Sequence, residues 1–154
     1  MPLINYREGV SFEIPNSWEC QDESSVQLTL FEDRPDSGTL RLSLTDFSGN
    51  DMAHRDELIA TALEGHVVEH FGDGLLLGKR VTEGQEGGEL LKLHRWVVTI
   101  PVTSERFRTA IFTHTIVAGQ ETDPLITREL ALVDKSIRNA QYSRAADLPL
   151  LDSV

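Results

Sequence analysis

The chain has 154 residues and one cysteine, Cys20, so no intramolecular disulfide can form. A single thiol fits a reducing compartment. Glu19, Asp22 and Glu23 surround it in sequence. Such neighbours discourage a reactive thiolate, and Cys20 reads as an inert, partly buried thiol. Basic residues are scarce, 14 against 25 acidic, for a net charge of −11. This balance argues against a nucleic-acid binder, which needs a basic face, and no basic amphipathic stretch suggests an anionic membrane surface. Long apolar runs are missing, and none approaches the ~20 residues of a membrane span, so no membrane insertion is expected. Met1 to Tyr6 lacks the basic and apolar regions of a secretory signal. These readings together predict a cytoplasmic protein. Signatures of catalysis are also missing: there is no G-x-S-x-G elbow, Walker loop or G-x-G-x-x-G after a strand. No cofactor is expected.

The length suits one domain able to bury its own core. Val10, Phe12 and Ile14 alternate with polar residues as a strand, and Leu3 to Tyr6 can pair with it across Glu8-Gly9. Pro15-Asn16-Ser17 marks a turn, and Trp18 follows as a core anchor. Val26, Leu28 and Leu30, then Leu40, Leu42 and Leu44, predict a hairpin with one wet face. Beyond Ser48-Gly49, an N-cap at Asn50 or Asp51 opens a helix. Its apolar positions are Leu58, Ile59, Ala62, Leu63, Val67 and Phe71, and Gly72 and Gly74 end it. Residues 75–81 read as a strand and 83–88 as a turn. Two long strands over 89–102 and 105–118 follow, the second apolar on both faces and so covered on both. Asp123 and Pro124 open a last helix with Ile126, Leu130, Val133 and Ile137 on its buried stripe. The order predicts an α+β fold, a twisted and mainly antiparallel sheet of about six strands covered by two helices. Residues 1–142 form the domain and 143–154 a loosely attached tail.

Chemistry could reside at His66-Val67-Val68-Glu69-His70, which matches the H-x-x-E-H pattern of inverted zinc proteases. On a helix, His66 and His70 share a face and could chelate Zn²⁺, with Glu69 as general base. The same wheel places both histidines in the apolar arc, and no third ligand motif follows. They read first as histidines packed against the sheet, with a zinc-dependent hydrolase as the alternative. His94 and His114 read as satisfied sheet residues. Arg41, Arg95, Arg106 and Arg108 fall on predicted strands. Arg95, between Leu93 and Val97, is an anchor for a partner's carboxylate or a stem packed on the sheet. Arg41 is a further binding candidate. Trp96 points away from Arg95, as core or as a recognition platform.

The opening Phe12-Glu13-Ile14-Pro15-Asn16-Ser17-Trp18 is similar to the F-x-x-P-x-x-W strand and turn of the DcrB-like bacterial group of the PsbP-like fold. The 40–44 strand before a helix, Leu75 to Val81 after it, the long hairpin and the final helix extend the resemblance over about residues 4–142. The resemblance implies a mostly non-enzymatic fold. Its members include a photosystem subunit, a Ran-binding import factor, a periplasmic lipoprotein and dimeric chaperones for type VI secretion effectors. It points to a non-catalytic protein-interaction module, an adaptor or secretion-effector chaperone, whose partner is another protein or a second copy in a homodimer. The alternative is a domain enclosing a small apolar ligand. Residues 1–51 hold 10 acidic and 3 basic groups. A basic partner is therefore expected at the N-terminal edge.

Overall fold

The computed structural model describes residues 2–24, 27–34 and 36–148. Met1, Val26 of the expected hairpin, Pro35 and residues 149–154 of the expected tail lie outside them. The chain runs through β1 (Leu3–Tyr6), β2 (Val10–Glu13), β3 (Trp18–Glu23), β4 (Leu28–Glu32), β5 (Thr39–Ser48) and α1 (Met52–Ala62). It continues through β6 (Val67–His70), β7 (Leu76–Glu86), β8 (Glu89–Pro101), β9 (Arg106–Val117), α2 (Pro124–Asn139) and β10 (Gln141–Tyr142). Among the described residues these strands form a seven-stranded sheet, β3-β4-β5-β9-β8-β7-β6, and a three-stranded sheet, β1-β2-β10. Every pairing is antiparallel. The α+β class is as the pattern predicts. The expected six strands become ten, because short edge strands carry little alternation of their own.

The largest departure is at α1. Asp51 caps it, its side chain accepting from the His54 amide at 2.8 Å. The helix then ends at Ala62 rather than running on to Phe71. Gly65 adopts φ +79°, a left-handed turn that favours glycine. A side chain there would also crowd the Arg80 guanidinium, whose Nη1 lies 3.1 Å from the Cβ position. After this turn the β-branched Val67-Val68 pair enters β6, which folds against β7 through the 71–75 turn. The residues 83–86, expected in a turn, extend β7, and Gly87-Gly88 alone make the reversal, both at positive φ.

The large sheet has two unlike faces. On one, α2 and the small sheet cover Leu28, Leu30, Leu40, Leu42, Leu77, Trp96, Val98 and Phe112, with Phe12, Val133 and Ile137 packed among them. On the other, α1 lies over one half: a Cβ at Gly78 would meet Leu63 and His66 at 2.9 Å. Among the described residues no helix lies over the second half of that face. Within the expected tail of residues 143–154, the Ser143, Ala145 and Ala146 carbonyls accept hydrogen bonds from Arg108 and Arg106. Ser143 donates its amide to Gly9 O at 2.8 Å, and its carbonyl accepts from Arg108 Nη1 at 2.7 Å.

Gly38, just before β5, sits against β9 and Glu129 of α2. Its amide donates to Glu129 Oε2 at 3.1 Å, and a Cβ there would strike the His114 ring and the Thr115 carbonyl. Gly38→Ala is expected to cost about 1–3 kcal/mol by overpacking. A urea midpoint equal to that of the parent chain would contradict this.

Candidate functional site

Strand register assembles the most distinctive constellation. Arg80 of β7 stands directly opposite Arg95 of β8, Arg95 opposite Thr113 of β9, and Thr113 opposite Arg41 of β5. Directly opposed residues in an antiparallel pair share a face. The three arginines therefore form a row across the strands on the uncovered half of the α1 face. Strand spacing makes it about 14 Å from Arg80 to Arg41. Beside the row run Thr82, Leu93, Thr115 and Thr39 on one side, and Gly78, Val97, Ile111 and Ser43 on the other. Arg41 and Arg80 are exposed and Arg95 is half-buried. The Arg95 stem is packed, and its Nε is buried without a hydrogen-bond partner among the described residues. None of the three is in an ion pair among those residues, although the sheet's other arginines are well partnered. A cavity of about 220 Å³ adjoins Arg41, lined also by Asp36, Glu86, Leu91 and Thr115.

Arg41 and Arg95, singled out in the sequence, are thus brought together. Arg80 was missed there, because a one-dimensional pattern does not show which strands pair. Trp96 does not join them. It is fully buried on the α2 face, its indole N–H donating to Asp134 Oδ1 at 3.0 Å and Lys79 Nζ lying 5.0 Å from its ring centroid. A surface platform at Trp96 is ruled out by that burial.

The H-x-x-E-H stretch is corrected as well. Its chelate geometry required a helix, and the chain there is a turn followed by a strand. His66 Nδ1 lies 3.0 Å from the Glu64 carbonyl. Glu69 points to the α2 side and accepts from Arg138 at 2.8 Å, while His70 lines a groove beside α1 on the other side. Alternation along the strand separates the base from the ligands it was meant to serve. Among the described residues no group of three or more His, Cys, Asp or Glu side chains could hold a metal ion.

Arg108 belongs to the interior and Arg106 to its half-buried rim. Arg108 is fully buried and reaches Asp46 through Nε at 2.6 Å and Nη2 at 3.1 Å, and Arg106 reaches the same carboxylate at 2.8 Å. His114 is also buried, with Nε2 3.1 Å from Glu129 Oε2 and its ring tilted against Trp18. His94, opposite His114, has both ring nitrogens buried without partners among the described residues. Burial, with Lys79 close by, pushes its pKa down.

These features define an α+β protein whose most distinctive exposed feature is the row formed by Arg80, Arg95 and Arg41. No family model matches the sequence, and no curated protein matches it. Solved structures share the fold. LpqN of Mycobacterium tuberculosis, described as involved in cell envelope biogenesis, superposes with a TM-score of 0.62 at 13% identity, over 87% of this chain and 83% of that one. A protein from Bacteroides thetaiotaomicron VPI-5482 superposes with a TM-score of 0.60 at 14% identity, over 90% of this chain. The chain spans 46% of the length of that protein. No described helix is long and apolar enough to cross a membrane.

Proposed function

We propose that this chain is a non-catalytic protein-interaction module of the PsbP-like, DcrB-like kind, an adaptor or chaperone that docks an acidic segment of a partner protein on the arginine row. The carrying observation is Arg80 placed directly opposite Arg95. Like charges so opposed destabilise a sheet, and neither arginine is in an ion pair among the described residues. A surface that keeps such a pair in a chain of net charge −11 is suited to a carboxylate-bearing ligand. The flanking Leu93, Ile111 and threonines suit an amphipathic segment rather than a bare polyanion. The overall negative charge repels a nucleic acid at long range. LpqN's role in cell envelope biogenesis is compatible with a binding role of this sort. The cytoplasmic location suggested by the single thiol belongs to the same proposal.

The test is a fluorescent peptide alternating glutamate with leucine, titrated at low and high salt. Binding should weaken as salt rises and be lost in the Arg41→Glu, Arg80→Glu, Arg95→Glu triple variant. Arg95→Met, which keeps the stem, should weaken binding yet raise stability by roughly 0.2–1 kcal/mol. The proposal fails if Arg95→Met destabilises the fold, if binding ignores salt, or if single-stranded RNA binds as well as the peptide.

A further inference from the structure

The seven-stranded sheet has two edges, and they differ. The β3 edge is irregular, its register shifting between Cys20 and Asp22. Bulges of this kind hinder pairing with another chain. The β6 edge has no bulge, proline or lysine. Val67 is 81% exposed there and Val68 is exposed as well. The Phe71 amide donates to Leu75 O at 3.1 Å. Antiparallel alternation then turns residues 67 and 69 toward β7, and turns the N–H and C=O groups of Val68 and His70 outward. Among the described residues these strand-pairing groups are unused, and Val67 and Val68 make half of this edge apolar.

Beside this edge, α1 buries none of its residues fully. It leaves a groove of about 500 Å³ lined by Ile59, Leu63, Val68, His70, Leu76 and Pro101. The groove lies on the side to which Val68 and His70 point. A strand paired with β6 would direct the residues opposite them toward it. Two exposed carboxylates bracket the strand, Glu64 before it and Asp73 after it, and neither is in an ion pair among the described residues. A second copy of this chain is a poor occupant. Antiparallel self-pairing about Val68 would bring Glu64 of one chain to the Gly72-Asp73 turn of the other, setting like charges near each other. A foreign strand with basic ends meets both carboxylates favourably.

We propose that β6 is a strand-addition site for an extended segment of another protein, apolar at alternate positions and flanked by lysine or arginine. Backbone hydrogen bonds to Val68 and His70 give the register, and the α1 groove takes the apolar side chains. The site adjoins the arginine row, since Arg80 of β7 lies beside Gly65, but it uses the outer edge of β6 and stands whether or not that row binds an acidic segment.

The probe is a fluorescent Lys-Lys-Val-Thr-Val-Thr-Val-Lys-Lys peptide, titrated against the full chain by anisotropy. It should bind, and its version with N-methylated valine amides should bind about tenfold more weakly for each bond removed. Val68→Pro deletes only an outward N–H, so it should abolish binding while leaving the melting temperature nearly unchanged. Glu64→Gln with Asp73→Asn should weaken binding severalfold. The proposal is overturned if the basic peptide does not bind, or if the N-methylated or a glutamate-flanked peptide binds equally well. A dimer of this chain that Val68→Pro dissolves would also overturn it. Should Val68→Pro fail to fold, the N-methylated peptide decides the question alone.

Discussion

Asp46→Ala is expected to destabilise the protein by about 3–5 kcal/mol, because it leaves a buried guanidinium without its counter-charge. Arg108 is fully inside, and Asp46 is nearly so. One carboxylate accepts from both Arg108 and Arg106. Removing it strands Arg108 in the core with only the Ser143 and Ala145 carbonyls as acceptors. At roughly 2–4 °C per kcal/mol for a chain of this size, the melting temperature should fall by about 10 °C. The variant Asp46→Leu with Arg108→Met should recover most of the loss, since a packed apolar pair often matches a buried ion pair. A thermal melt of Asp46→Ala within a degree or two of the parent would show that the charge is not buried as described.

A second large effect is expected at Glu129. This carboxylate is buried on α2, accepting from Ser37 Oγ at 2.8 Å and Gly38 N at 3.1 Å, beside His114 Nε2 and with Arg34 at 3.4 Å. Burial pushes its pKa up, but the hydrogen bonds from His114, Ser37 and Gly38 outweigh that and hold it below its ordinary value. A depressed carboxyl binds protons more readily in the unfolded chain. Its stabilisation is therefore full above the ordinary glutamate pKa, near 4.3, and is lost as pH falls through the folded value. Glu129→Ala should cost about 3 kcal/mol at neutral pH, since it leaves several buried donors unsatisfied. Glu129→Gln should flatten the acid limb of the stability profile. Identical acid limbs for the parent and Glu129→Gln would remove Glu129 as the group that senses pH.

Much of this framework is legible in the sequence. The leucines at 28, 30, 40, 42 and 44, the long 89–101 and 106–117 segments, and the Asp123-Pro124 helix start each carry one clear periodicity. The sequence misleads where two periods coincide. Leu63, Val67 and Phe71 fit a helical stripe, yet Gly65 breaks the helix, and Val67-Val68 then gain more by pairing with β7. That one break converts a metal-binding motif into an edge strand. The candidate site was half legible for a related reason. Arg41 and Arg95 are conspicuous as cations among apolar strand residues, but their alignment with Arg80 is a property of register, which no local window contains. The acidic excess over residues 1–51 also changes meaning, because part of it, such as Asp46, neutralises the buried Arg108 rather than waiting for a partner.

The small sheet pairs Val10 and Ser11 with Tyr142 and Gln141, and the buried guanidinium of Arg108 is capped by carbonyls at 143 and 145. The first hairpin thus has its outer neighbour in β10, a strand that follows α2, so segments distant in sequence close the same small sheet. A cut anywhere between β2 and β10 would turn this sheet into a contact between two separate chains, and the two pieces would have to find each other to rebuild it.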